Sequence, residues 1–259
     1  MGGDDDGWVV STGGRRGRSR ARRPPRGGAD PQEDGPVPWD PAVLDAPVDA
    51  GRVARLLDRI GSARDEVLRS SFCASFRPIL RAVLDESGPM RELVCYGLGS
   101  VDDGSRASRY QLALAQVIAE DAGAIESLYF DPAFNAHDRA AIESVSGATV
   151  MRDNEQCARR VRKPTLFYMP HCHTNLYAAV LEANSDQLAQ IVILGNSFAA
   201  YDLRTSGLDR AASTESAASL DAMARAIGRG REIAVPDCKF PEVSAFNNLS
   251  FHAFFSTPE

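Results

Sequence analysis

The stretch Leu93-Val94-Cys95-Tyr96-Gly97-Leu98-Gly99 decides the fold class. Its apolar run enters two glycines, which is typical of a buried strand that ends in a tight turn. Four further apolar runs follow, separated by stretches of helical periodicity: Leu128-Tyr129-Phe130, Thr149-Val150-Met151, Thr165-Leu166-Phe167-Tyr168-Met169 and Ile191-Val192-Ile193-Leu194. Continuous apolar strands that alternate with helices indicate a mainly parallel sheet covered on both faces. Residues Arg91 to Phe198 therefore predict a doubly wound, Rossmann-like α/β domain with a strand order such as 3-2-1-4-5.

The helices between these strands have their own start and stop residues. Ser108 with Gln111 has the spacing of a capping box, Asn135 is a cap for a helix that ends near Gly147, and Thr174 is a cap for the helix after the fourth strand. A polar helix is expected from about Asn154. Each helix thus lies where a crossover between parallel strands requires one.

Both flanks of this core also have a pattern. From Gly51 onward apolar residues recur at helical spacing and predict a helical lead-in, with a kink or break at Pro78. After the fifth strand, residues Thr214 to Ile227 predict a helix. Ile233-Ala234-Val235 and Leu249 to Phe255 predict strands that are candidates to extend the sheet in the antiparallel sense.

Residues 1–50 differ in composition from the rest. They are rich in Gly, Pro, Asp and Arg and poor in large apolar side chains, so we expect a disordered basic tail before a folded domain at 51–259. Seven arginines between Arg15 and Arg26 form a run without an acid. This run is either a nuclear localisation signal, a weak nucleic-acid contact or a solubilising segment.

Composition limits the classes of function. The chain has 259 residues, 44% of them hydrophobic, and a formal net charge of −6 despite the arginine run. We therefore expect no nucleic-acid binding except through the tail. No apolar stretch reaches the roughly 20 residues of a membrane span, so no membrane association is expected. Five scattered cysteines without a CxxC pair predict free thiols in a reducing compartment.

Polar residues gather where the predicted strands end. In open α/β sheets, ligands bind beyond the carboxyl ends of the strands, where strand order reverses. The relevant loops are Gly97 to Arg109, Asp131 to Asn135, Pro170 to Thr174 and Gly195 to Phe198. They carry the candidate ligand-binding residues Gly97, Gly99, Ser108, Arg109, Asp131, His171, Cys172, Asn196 and Ser197.

Each candidate on the first two loops has an alternative role. Gly97 and Gly99 resemble part of a dinucleotide fingerprint, but the third glycine is missing, and a tight turn explains both. Ser108 is a phosphate contact or a cap. Arg109 is an anion contact or the partner of Asp131 in a salt bridge. Asp131 is a contact to a ribose hydroxyl or a turn former before a proline.

His171-Cys172-His173 has the residue types of a metal site or a nucleophile. Adjacent side chains point in different directions and no second group of ligands is evident, so no metal is predicted. A Cys172 nucleophile activated by His171 is an open alternative. A thiol at a helix N-terminus is expected to have a lowered pKa, which predicts redox sensitivity.

The same residues resemble the SRR-like (Sensitivity to Red light Reduced) family between roughly Arg91 and Tyr201. The matching stretches, in the order of the family, are Leu93-Val94-Cys95-Tyr96-Gly97-Leu98-Gly99-Ser100, Ser108-Arg109-Tyr110-Gln111-Leu112-Ala113, Asp131-Pro132-Ala133-Phe134, Thr165-Leu166-Phe167-Tyr168-Met169-Pro170-His171-Cys172 and Gly195-Asn196-Ser197-Phe198. His173 and the Ala/Ser-rich C-terminal third depart from the family pattern.

The resemblance implies a regulatory protein with protein partners, cytoplasmic and nuclear, that acts in the circadian clock and in phytochrome B light signalling or in the regulation of haem biosynthesis. The family has no assigned catalytic activity. The alternative is an enzyme that uses a nucleotide or S-adenosylmethionine-type cofactor at the strand-end crevice, with Asp131 and Arg109 as contacts. A third hypothesis is haem binding through His171 or Cys172. The sequence leaves the cofactor unknown.

Overall fold

A seven-stranded sheet organises the protein. The computed structural model describes residues 39–103, 105–123, 125–201 and 217–255. The strands are β1 (Glu92–Tyr96), β2 (Glu126–Phe130), β3 (Thr149–Val150), β4 (Thr165–Met169), β5 (Ile191–Asn196), β6 (Gly230–Ala234) and β7 (Leu249–Phe254). The helices are α1 (Ala50–Arg69), α2 (Ser71–Ser87), α3 (Arg106–Asp121), α4 (Ala136–Ser146), α5 (Thr174–Ala183), α6 (Ala217–Ile227) and α7 (Val243–Phe246).

The strand order is β3-β2-β1-β4-β5-β7-β6. The first five strands are parallel, so the predicted order 3-2-1-4-5 and the doubly wound α/β class are confirmed. β7 pairs antiparallel with β5, and β6 pairs antiparallel with β7. The C-terminal strands therefore extend the sheet in the antiparallel sense, as the sequence suggested.

Alternate residues of each strand enter two different cores. Leu93 and Cys95 belong to a cluster with α1, α2, α3 and part of α4. Val94 and Tyr96 belong to a second cluster with α5 and α6 on the opposite face. Because both faces are buried, the strands are apolar at every position instead of alternating.

The helical lead-in breaks at Ser70 and continues through Pro78. Ser70 is extended, and its side chain accepts the backbone N–H of Cys73, so it caps α2. Pro78 lies inside α2, which continues to Ser87. The predicted break at Pro78 is wrong, since the helix continues through it; the two helices are separated instead at Ser70, eight residues earlier.

The polar helix expected from about Asn154 is absent. Residues 151–164 contain no helix. The side chain of Asn154 accepts the N–H of Gln156 at 3.0 Å, and Gln156 and Cys157 have φ angles of 46° and 59°. An Asx turn followed by left-handed backbone competes with helix at this position, and local propensity did not reveal it.

Residues 39–49, on the N-terminal side of the predicted boundary at residue 51, pack against the fold. Trp39 donates from Nε1 to the carbonyl of Arg152 at 2.8 Å and packs edge-to-face on Phe130. Leu44 is buried, and Asp45 pairs with Arg152 at 2.6 Å. These anchors hold residues 39–49 against the fold although the segment is rich in proline. Residues 1–38, with the arginine run, lie outside the described residues.

Within the described part of the chain, no helix combines the length and the apolar content that crossing a membrane would need.

Candidate functional site

Strand order reverses between β1 and β4, so the loops after these two strands border the crevice of the fold. The β1–α3 loop (residues 97–103) begins with Gly97 and Gly99, whose φ angles are 75° and 71°. This left-handed backbone favours glycine at both positions. A Cβ on Gly99 would lie 3.0 Å from Oγ of Ser108, so the first turns of α3 pack closely on the loop.

Asp131 ties the β1–α3 loop to the end of β2. Its side chain is buried, and Oδ2 accepts the N–H of Gly99 at 2.7 Å while Oδ1 accepts the N–H of Ala133 at 2.8 Å. Burial raises the pKa of Asp131, and the two hydrogen bonds lower it again in part. The second bond is the turn-forming role that the sequence offered as one alternative.

Asp138 fastens the same loop from α4. It is fully buried, and its Oδ1 accepts the N–H of Val101 and of Asp102, both at 2.9 Å, and the hydroxyl of Ser100 at 3.1 Å. Its Oδ2 accepts the N–H of Asn135 at 2.9 Å, which completes a confirmed capping box. Sequence reasoning missed Asp138, and its only signal was the spacing of that box.

The β1–α3 loop thus points several backbone N–H groups at buried carboxylates. The N–H groups of Gly99, Val101 and Asp102 are donors of the kind that cradle a phosphate in nucleotide-binding loops. Here Asp131 and Asp138 accept these bonds. The protein therefore supplies its own anions to this loop.

The start of α3 differs from expectation in two respects. The helix begins at Arg106 with Ser105 at the N-cap position and no side-chain cap bond, so the predicted capping box of Ser108 and Gln111 is wrong. Ser108 lies inside the helix and is buried against the loop. Arg109 donates to the carbonyl of Val101 at 3.1 Å and forms no salt bridge with Asp131, whose oxygens already accept N–H groups.

His171 follows β4 and turns the chain with a φ angle of 56°. Its N–H donates to Oδ1 of Asn196 at 2.9 Å. Partial desolvation lowers the pKa of His171, while hydrogen bonds to the backbone of Ser244 and Ala245 raise it against that effect. His171 therefore connects the β4–α5 loop to the C-terminal segment.

Cys172 is buried and faces the sheet. Its Sγ lies 3.7 Å from the carbonyl oxygen of Tyr96, across the switch point. Burial raises the pKa of the Cys172 thiol, with the charge of Asp131 adding to the effect. The direction is opposite to the lowered pKa that the sequence predicted, because desolvation outweighs the helix N-terminus. The N-cap position of α5 is His173, so Thr174, its first residue, is not the predicted cap.

Asn196 is the centre of a buried network at the end of β5. Its Nδ2 donates to the hydroxyl of Tyr201 at 2.8 Å, and its N–H donates to the hydroxyl of Tyr177 at 2.9 Å. His252 contacts the carbonyl of Asn196 at 3.0 Å, and burial lowers the pKa of this histidine to about 4. Asn196 thus holds β5 and, through its bond from His171, the loop after β4.

Gly195 and Ser197 flank this network. A Cβ on Gly195 would lie 2.6 Å from the ring of Tyr177, so only glycine admits that ring. Ser197 accepts the N–H of Ala200 through Oγ at 3.1 Å. Tyr177 and His252 were not among the predicted site residues, because an apolar helix face and an aromatic strand hid their polar atoms.

Eight of the nine candidates lie in the strand-end loops or pack directly on them: Gly97, Gly99, Ser108, Asp131, His171, Cys172, Asn196 and Ser197. Arg109 also reaches the β1–α3 loop, where it donates to the carbonyl of Val101, and it borders a cavity between α1 and α3. Among the residues that the structure describes, no group of three His, Cys, Asp or Glu side chains is placed to hold a metal ion.

The SRR1 domain matches this chain over residues 68–253, which include β1 to β6, all of β7 except Phe254, and the strand-end loops. This chain belongs to the SRR1 domain family. It is 33% identical over 181 residues to the protein SENSITIVITY TO RED LIGHT REDUCED 1 of Arabidopsis thaliana, an alignment that covers 65% of this chain and 64% of that protein. It is 32% identical over 236 residues to the SRR1-like protein of Mus musculus, with 76% of this chain and 87% of that protein covered.

The chain thus spans less than two thirds of the length of the Arabidopsis relative. The SRR1-like protein of Drosophila melanogaster is 27% identical over 64% of this chain and 56% of its own length. Among solved structures, cofactor-bound Rv0187 from MTB is 15% identical with a TM-score of 0.42, over 86% of this chain and 100% of that chain. At that score the likeness carries no argument about the site.

Proposed function

We propose that this chain is a regulatory protein that acts in a light- or clock-dependent response by binding protein partners at its strand-end loops. Membership of the SRR1 family supports the regulatory role. The name of the Arabidopsis relative connects that protein to red-light sensitivity, and the similarity to it covers 65% of this chain. Regulation of haem biosynthesis is the second pathway for which the family resemblance argues.

The observation that carries this proposal is that the backbone N–H groups of the β1–α3 loop are already bonded to side chains of the protein. An enzyme that held a nucleotide phosphate here would need backbone N–H groups free to donate. The N–H groups of Gly99, Val101 and Asp102 are instead bound by Asp131 and Asp138. These internal hydrogen bonds hold the loop in one conformation. A preformed surface of this kind favours recognition of a partner, because little conformational entropy is lost on binding.

A function test uses Arabidopsis plants that lack the red-light relative. We expect the full chain to restore their response to red light. The double variant His171→Ala/His173→Ala removes two exposed side chains at the strand-end loops and is expected to fold but to restore less. The matched control Arg160→Ala removes an exposed side chain that contacts the carbonyl of Ala183, at the far end of α5.

Two outcomes would contradict the proposal. If the folded, expressed chain leaves the red-light response unchanged, the pathway assignment is wrong. If the histidine variant restores the response as fully as Arg160→Ala does, the partner surface lies away from the strand-end loops.

The enzyme and haem alternatives are tested by thermal shift. A ligand at about 100 times its dissociation constant stabilises a fold by about 2.7 kcal/mol. We expect no shift at the strand-end crevice from nucleotides, S-adenosylmethionine or haem. A saturable shift that is lost in His171→Ala and retained in the control Arg160→Ala would replace the partner-binding proposal with a cofactor site.

Cytoplasmic and nuclear localisation is part of the same proposal, with the arginine run as the nuclear signal. Because Trp39 packs against the fold, the deletion is limited to residues 1–38, which contain the arginine run. We expect the deletion to reduce the nuclear fraction of a fluorescent fusion. An unchanged nuclear fraction would remove the arginine run from the argument.

A further inference from the structure

A cavity of about 340 Å³ lies between α1 and α3, on the sheet face that carries the first core. Three arginines border it, Arg59 from α1 and Arg106 and Arg109 from α3. We call this group the arginine cleft. It is separate from the strand-end crevice, and neither the family match nor the proposed partner binding assigns it a role.

Each arginine of the cleft is held in place by the protein. Arg59 contacts the buried carboxylate of Asp102 at 3.5 Å. Arg106 donates to the hydroxyl of Tyr110 at 2.6 Å and lies over its ring at 5.5 Å. Arg109 donates to the carbonyl of Val101 at 3.1 Å. Positioned guanidinium groups lose little side-chain entropy when they bind a ligand.

Arg109 is partly buried, and among the described residues it forms no salt bridge. Burial lowers its pKa and the nearby charges of Arg59 and Arg106 lower it further, while the charge of Asp102 offsets only part of this effect. Like charges held together in a partly desolvated place destabilise the fold unless an anion joins them.

Acidic residues also lie at the cleft. Glu66 is bound by the hydroxyl of Tyr110 and lies 3.7 Å from Arg106, and Asp58 also borders the cavity. The carboxylate of Asp102 lies beside the cleft, but Arg59 shares it with Arg52, which is closer at 2.7 Å. Guanidinium groups donate in pairs to the oxygens of phosphate, which carries enough charge to balance several of them.

We propose that the arginine cleft binds the phosphate group of a small phosphorylated metabolite, held by Arg59, Arg106 and Arg109. The volume argues for a small ligand, because it lies near the lower end of the roughly 300–1,000 Å³ typical of small-molecule sites. Tyr110 also lines the cavity, where its hydroxyl holds the guanidinium group of Arg106 in place.

The test is isothermal titration of the full chain at constant ionic strength, with inorganic phosphate and glycerol 3-phosphate as probes. We expect saturable binding of both, with glycerol 3-phosphate the tighter. Arg106→Gln and Arg109→Lys are expected to weaken it at least about tenfold, which corresponds to about 1.4 kcal/mol. Arg69→Gln, an exposed position on α1 outside the cleft, removes the same charge and is expected to bind like the natural chain.

Three results would overturn the proposal. These are the absence of saturable binding, equal affinity in all three variants, and a heat that follows ionic strength alone. If inorganic phosphate binds as tightly as glycerol 3-phosphate, the cleft recognises the free ion, and the proposal of a phosphorylated metabolite is wrong. Arg106 is 64% exposed, so Arg106→Gln keeps the test valid even if Arg109→Lys disturbs the contact with Val101.

Discussion

The β1–α3 loop and the arginine cleft are neighbours that treat charge in opposite ways. The loop presents backbone N–H groups, and the carboxylates of Asp131 and Asp138 accept their hydrogen bonds. The cleft presents three guanidinium groups, and among the described residues Arg109 forms no salt bridge. The two regions meet at Val101, whose N–H donates to Asp138 and whose carbonyl accepts from Arg109.

The comparison distinguishes polar groups that stabilise the fold from polar groups that are available to a ligand. A polar group that finds its partner inside the protein stabilises the fold, and its removal leaves the partner buried and unsatisfied. A charge that faces solvent and like charges adds little to stability and is available to a ligand. Substitutions in the loop should therefore cost stability, whereas substitutions in the cleft should leave it nearly unchanged.

The largest effect is expected from Asp138→Ala. Asp138 is fully buried and accepts four hydrogen bonds, and its loss strands the N–H groups of Val101, Asp102 and Asn135. We expect the free energy of unfolding to fall by about 3–5 kcal/mol, measured by urea denaturation. Asp138→Asn keeps one acceptor oxygen and should cost clearly less. Equal losses in the two variants would mean that volume, rather than hydrogen bonding, holds the loop.

Gly99→Ala should have the next largest effect. Gly99 has a φ angle of 71°, and an added Cβ would lie 3.0 Å from Oγ of Ser108. We expect a loss of about 1–2 kcal/mol in the free energy of unfolding. The matched control is Gly61→Ala on α1, where nothing lies within 4 Å of the new Cβ. That variant should gain about 0.5–1 kcal/mol. A loss at both positions would speak against left-handed backbone as the cause.

Asp131 is expected to make the free energy of unfolding depend on pH. Burial raises its pKa above the ordinary value of 3.8, so the folded state holds this proton more tightly than the unfolded chain does. Between the ordinary and the raised pKa the folded state binds more protons, and its free energy of unfolding therefore falls as pH rises through that window. The difference between the natural chain and Asp131→Asn should fall in the same window. A difference that rises there would show that the bonds from Gly99 and Ala133 outweigh burial.

The sequence predicted the sheet better than it predicted the partners of its polar residues. Continuous apolar strands joined by right-handed crossovers are compatible with few strand orders, which is why the order 3-2-1-4-5 could be predicted from the sequence alone. The role of Asp138 could not. Its spacing from Asn135 is fully explained by helix capping, and its other partners lie 36 to 38 residues away.

Arg109 shows the same limit from the other side. The pattern placed it in a strand-end loop, but a long side chain on the first turns of a helix reaches either the loop or the neighbouring helix. Packing of α1 on α3 decides the matter, and the lead-in helix was not connected to the site by any local pattern. Long-range packing thus placed this candidate where the β1–α3 loop meets the cavity between α1 and α3.

The smallest effect is expected from Arg106→Gln, which sharpens the comparison most. Its side chain is 64% exposed, and its contact with Glu66 is 3.7 Å long. An exposed ion pair of this kind contributes about 0–1 kcal/mol, and relief of repulsion with Arg109 acts in the opposite direction. We expect a change in the free energy of unfolding of less than about 0.5 kcal/mol without ligand. A loss comparable with that of Asp138→Ala would show that the cleft is part of the structural framework. An unchanged free energy of unfolding would show that Arg106 is not needed for stability and is available to bind a ligand.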